Sequence, residues 1–227
     1  MRRRPTQLGV ILSLSLCAAA TADQQPQHLV PARHDTGESA EYRRLIYKHL
    51  LVTPGQFGRM IDEPGWDPPE WAVSVYGTGK LSTGSNDYRS YHVTVTRVLE
   101  SRWVTSIWTS LPSNNEERRH KAIHTSRADV QIPPELALSV QRAWATMLSR
   151  TRPEEDRFLY MDAPTVEFVL GAQRGQITPP RPGLTNEMYE IGEALAKLCA
   201  LQPAQRTVEE EKLIHRLKRF EARAQKA

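Results

Sequence analysis

Three stretches in the middle of the chain are built like strands, and the segments joining them are too short to contain a helix. Trp71, Val73 and Val75 alternate with Ala72, Ser74 and Tyr76, and Tyr91, Val93 and Val95 alternate with His92, Thr94 and Thr96. Alternation with a period of two marks a half-buried strand. Trp103 to Trp108, β-branched and aromatic, reads as a third. Parallel neighbours need a crossover of a dozen or more residues. Gly77 to Asp87, rich in Gly, Ser, Thr and Asn, is turn material instead. An antiparallel meander is therefore expected, extended by a fourth strand over Ile123 to Ile132.

Helical spacing flanks this core. Tyr42, Leu45, Ile46, His49 and Leu50 share one helical face, and Thr53-Pro54-Gly55 ends that helix. Residues 55 to 70, with Gly and Pro at close intervals, read as irregular. Pro133-Pro134 opens the strongest helix, whose apolar stripe is Leu136, Val140, Ala143, Trp144, Met147 and Leu148. Two short strands are expected at Thr165 to Leu170 and Gly175 to Thr178. After a proline-rich bend at Pro179 to Pro182, a helix over Thr185 to Ala200 turns Met188, Ile191, Leu195 and Leu198 inward. A capping box, Thr207 to Glu210, signals the last helix, whose stripe of Leu213, Ile214, Leu217 and Phe220 is thin. The expected fold is α+β: an antiparallel sheet of about four to six strands with helices packed on one face, plus a peripheral C-terminal helix. The single domain is expected over 38–201, with a hinge and charged helix over 202–227.

The N-terminus has the organisation of a secretory signal. Arg2, Arg3 and Arg4 precede an apolar stretch from Leu8 to Ala20, too short to cross a bilayer as a helix. Ala20-Thr21-Ala22 supplies the small-x-small pattern of a cleavage site, placing the cut between Ala22 and Asp23. Residues 1–22 are thus expected to be a signal peptide and 23–37 a disordered tether, in a protein destined for the periplasm or for secretion. No membrane insertion of the mature chain is expected. The chain carries 30 basic and 26 acidic residues; without the three signal arginines the two nearly balance, so composition offers no electrostatic case for nucleic acid. Of two cysteines, Cys17 leaves with the signal. Cys199 is left alone, expected on the buried side of a helix, where an intramolecular disulfide is impossible.

Familiar chemistries fail on inspection. His120 and His124 have the spacing of a zinc helix, but Lys121 stands where the general base belongs. Gly77-Thr78-Gly79-Lys80 resembles the end of a phosphate loop, yet Leu81 replaces the hydroxyl that would hold magnesium. There is no Gly-x-Ser-x-Gly elbow. The acids Glu154-Glu155-Asp156, and Asp162 with Glu167, form no pair whose separation sequence can fix. No metal or cofactor is expected. Among the five tryptophans, Trp66 in its Pro/Gly-rich loop is the best candidate for a contact residue, the others being assigned to core or loop anchoring.

Pro69-Glu70-Trp71 opening a strand, Trp144-Ala145-Thr146-Met147-Leu148 with Arg150, Asp162 followed by Thr165 and Phe168, and Pro182-Gly183 before a helix form a set. Over residues 65 to 200 this set resembles a group of uncharacterised small exported proteins of Gram-negative bacteria. The resemblance implies a compartment and a domain shape. The functional expectation is an exported, non-enzymatic binding protein of the cell envelope, of inhibitor or immunity type, with a protein or envelope component as partner. The rival expectation is a periplasmic hydrolase acting on cell-wall or sugar substrates through dispersed carboxylates.

Overall fold

The computed structural model describes residues 28–32, 38–50, 56–64, 69–81, 87–100, 123–153, 164–177 and 183–227. The Ala22–Asp23 junction, Trp66, the expected strand at Trp103 to Trp108, His120, Glu154 to Asp156 and Asp162 lie outside them.

Six strands form one sheet: β1 (Gln56–Glu63), β2 (Trp71–Lys80), β3 (Tyr88–Val98), β4 (Thr125–Ile132), β5 (Thr165–Leu170) and β6 (Gln173–Ile177). Their order is β4-β3-β2-β1-β5-β6, with every neighbouring pair antiparallel. The antiparallel pairing of β2 with β3 is as expected, but β3 pairs directly with β4, where the expected meander put the Trp103 to Trp108 strand between them, and β1 lies in the segment read as irregular. Its alternation is broken by a register shift between Gln56 and Gly58, which turns both Phe57 and Met60, three residues apart, into the same core. Period two is thereby hidden. Gly58 suits the position because a Cβ there would approach Val140 Cγ1 at 3.1 Å and the Trp144 ring at 3.3 Å.

One sheet face carries Met60, Val73, Val75, Val93, Val95 and Phe168. Helices α2 (Pro134–Leu148) and α3 (Leu184–Leu198) cover it, and α4 (Pro203–Ala224) lies on those two helices. Helix α1 (Glu38–Leu50) is on the other face, where Leu45, Ile46 and Leu50 pack with Ile61, Ala72, Val98 and Ile123. The one-sided arrangement thus holds for three helices, and α1 departs from it because its stripe meets a second, separate apolar cluster.

Two expectations about the ends are corrected. Helix α4 is outermost in position, but its thin stripe is core: Leu217, Phe220 and Ala224 are fully buried and Leu213 and Ile214 nearly so. Nor does the capping box form. The helix already begins at Pro203, with no side-chain cap at Gln202, and the Thr207 hydroxyl donates to the Pro203 carbonyl at 3.3 Å. Residues 202–205 are thus cap and first turn rather than hinge, since a proline at the helix start loses no intrahelical bond. At the other end, part of the expected tether is pinned. Leu29 is fully buried, and Val30 exchanges backbone hydrogen bonds of 3.0 and 2.8 Å with Gln176 on β6. Among the described residues no helix is long and apolar enough to cross a membrane.

Candidate functional site

Antiparallel register sorts the face shared with α1 into cross-strand rows. Val169, Arg59, Ser74, Thr94 and Asp129 form one row across β5 to β4; Tyr76, His92 and Gln131 belong to the next row on β2, β3 and β4. Side chains at paired positions stand on the same face. The rows therefore bring polar groups far apart in sequence within reach of one another.

At the β4 end Asp129 is the centre of a hydrogen-bond cluster. Asp129 accepts from the Tyr76 hydroxyl at 2.6 Å, from the Thr94 hydroxyl and from His92 Nδ1 at 2.9 Å. Burial works to raise its pKa, but those hydrogen bonds outweigh it and hold the carboxyl below its ordinary range. An ionised carboxylate only accepts, so Nδ1 of His92 is the donor to it, and in the neutral imidazole Nε2 then presents a lone pair. That lone pair lies 3.1 Å from the Ser90 hydroxyl, which sits 2.6 Å from the Thr78 hydroxyl. The Tyr76 and His92 rings stack with centroids 5.3 Å apart. The connectivity Ser90–His92–Asp129 is the order in which a base is oriented and a hydroxyl polarised. It was missed because it needs the β3–β4 register; the only trace in sequence is the polar face of β3, on which Ser90, His92 and Thr94 alternate.

At the β5 end, three arginines and two glutamates surround a phenol. Glu63 is paired with Arg43 at 3.0 Å, and Glu167 with Arg174 at 3.4 Å. The Tyr47 hydroxyl reaches Glu63 Oε1 at 2.8 Å and also Glu167 Oε2. Burial, then the two carboxylates, push the phenol far above its ordinary pKa, so it stays neutral. Arg59, between Ser74 and Val169, is lowered to about 10 by burial and by Arg174. Its Nε is buried without a hydrogen-bond partner. Glu167, singled out in sequence with Asp162, is thus held by Arg174 and Tyr47.

On the helix side, Asp62 accepts from Trp71 Nε1 and from the Tyr189 hydroxyl of α3, each at 3.0 Å. Burial raises its pKa, against the pull of those two bonds. Cys199 is partly buried, with its thiol 3.5 Å from the Val93 carbonyl. Burial pushes it up to about 11, the opposite of what an activated nucleophile needs. His124 is bound to Glu100. No group of three His, Cys, Asp or Glu gathers as for a metal among the described residues.

The two edges of the sheet differ. Val30 pairs with Gln176 and covers part of the β6 edge. No described residue pairs with the outer flank of β4, where Thr125, Ser126, Arg127, Ala128 and Asp129 are all exposed. Comparisons with protein families, with characterised proteins and with solved structures find no match for this chain.

Proposed function

We propose that this is an exported binding protein of the cell envelope, of inhibitor or immunity type, which takes an extended segment of a protein partner along β4. The β4 edge, unpaired among the described residues, carries the proposal. An unpaired strand presents a row of N–H and C=O groups that another strand can complete. This eight-residue strand contains no proline, and its one basic residue is Arg127. Export rests on the arginine-led apolar N-terminus and the Ala20-Thr21-Ala22 site. The test is photocrosslinking from a benzophenone residue at Ser126 or Ala128 in cells, with Gln173 on the opposite edge as control. A discrete protein adduct from β4 and none from Gln173, together with slowed amide exchange along β4 in the purified adduct, is expected. Equal adducts from all three positions would remove the β4 assignment.

A second reading, hydrolysis, is favoured by one observation, the Ser90–His92–Asp129 relay, rather than by dispersed carboxylates. In it, Ser90 attacks an activated acyl carbonyl, His92 Nε2 takes the hydroxyl proton and returns it to the leaving group, and water then releases the acyl group. A fluorophosphonate probe would label Ser90 in the intact chain and leave Ser90→Ala unlabelled. No adduct by intact mass would dispose of this reading.

A further inference from the structure

Among the described residues, the cluster at the β5 end has one more arginine than it has glutamates. Arg43, Arg59 and Arg174 bring three positive charges, while Glu63 and Glu167 bring two negative ones and Tyr47 is neutral. The surplus is placed on Arg59, for which no ion pair is seen among the described residues and whose Nε is buried without a hydrogen-bond partner. Its depressed pKa still leaves it charged at neutral pH. A buried guanidinium nitrogen without an acceptor is costly, and such an exception calls for a missing acceptor.

The ladder shows where that acceptor would sit. Arg59, Val169 and Arg174 occupy successive strands of one row, on the same face. Two strand spacings put the Arg59 and Arg174 backbones about 10 Å apart, with Val169 between them. Val169 itself is buried, so two long side chains at that separation converge on a small group at the exposed, Arg174 side of the row. Arg174 is more than half exposed, so the approach is open on its side.

We propose that Arg59 and Arg174 form a binding site for a carboxylate, on a small molecule or on a side chain. A single ionised carboxylate neutralises the surplus, and its two oxygens match the planar fork of a guanidinium. A phosphate monoester would bring more negative charge than the cluster lacks. This site is separate from the β4 edge and does not depend on the partner proposed there.

Nε–Hε correlations of the arginines in the intact, isotope-labelled chain test the site. Sodium acetate, inorganic phosphate and sodium chloride are titrated in turn at matched ionic strength. Acetate is expected to shift the Arg59 signal saturably, with Arg174 following, while chloride leaves both in place. Arg59→Met should weaken the acetate response at Arg174 by roughly tenfold or more, and Arg59→Lys, which keeps the charge and loses the fork, should weaken it less. If Arg59→Met fails to melt cooperatively, Arg59→Lys and Arg174→Gln carry the comparison. An Arg59 signal that no anion moves, or that chloride moves equally, overturns the site. Tighter binding of phosphate overturns its assignment to a carboxylate.

Discussion

Trp144 joins sheet and helix layer through both ends of its indole. Its ring meets Phe168 edge to face, with centroids 5.6 Å apart and planes at 74°, and its Nε1 donates to the Arg59 carbonyl at 3.2 Å. With 1 % of its surface exposed, Trp144→Ala should cost about 3–5 kcal/mol in urea unfolding, from lost burial and the cavity left behind. Asp62 gives a prediction in the pH dependence. Its folded pKa is raised, so between the unfolded and folded values the native state holds a proton that the unfolded chain has released. Its contribution to stability therefore falls as pH rises through that window. Asp62→Asn removes the titration while keeping an acceptor for Trp71 and Tyr189. The stability of Asp62→Asn relative to wild type should rise from pH 4 to pH 7; a flat difference would mean the carboxyl is not destabilised by burial. Asp129 has the opposite sign: its folded pKa is depressed, so its contribution is present above the unfolded value and lost as acid reaches the folded one.

Among the elements, α4 carries the largest correction and the sharpest test. Leu213, Leu217 and Phe220 alone bury side chains at roughly 1.5–3 kcal/mol each, and a domain's whole stability is only about 5–15 kcal/mol. Deleting residues 204–227 should therefore abolish cooperative melting and near-ultraviolet dichroism, and Leu217→Ala should cost about 2–5 kcal/mol. The ion pairs on its surface, Lys218 with Glu135 at 2.7 Å and Arg142 with Glu221 at 3.4 Å, contribute little beside that burial. Sequence reading had the stripe of α4 but not its burial, because a short apolar list says nothing of whether α2 and α3 leave a groove that fits it. It likewise had β2 and β3, whose alternation is local, and lacked β1, whose alternation the shift at Gly58 breaks. The polar site was least legible. Ser90 and His92 are neighbours on β3, but Asp129 joins them only through strand pairing. The Arg59–Arg174 pair needs β1, β5 and β6 in one sheet.

The whole molecule is a sheet held between unequal covers. Helices α2 and α3, with α4 outside them, bury one face, and α1 packs over a separate apolar cluster on the other. Residues 28–30 belong to that assembly. Removing everything up to Pro31 takes away the fully buried Leu29 and the Val30–Gln176 pairing. Truncation from Arg33 onward should therefore lower the thermal midpoint measurably, whereas a chain beginning at Gln24 should melt like one beginning at Asp23. Equal midpoints for all three would mean that the Leu29 contact adds no stability.

The unequal edges also set a stoichiometry. A sheet with two open edges can add copies of itself without end, which is how filaments grow. Here Val30 already occupies part of the β6 edge, leaving β4 as the long open flank among the described residues. Two copies meeting β4 to β4 across a two-fold axis would consume that flank on both and leave no second one to continue. Self-association through β4 therefore stops at a pair, and a pair so formed competes with any partner strand for the same flank. Raising the protein concentration should weaken partner capture rather than produce larger assemblies.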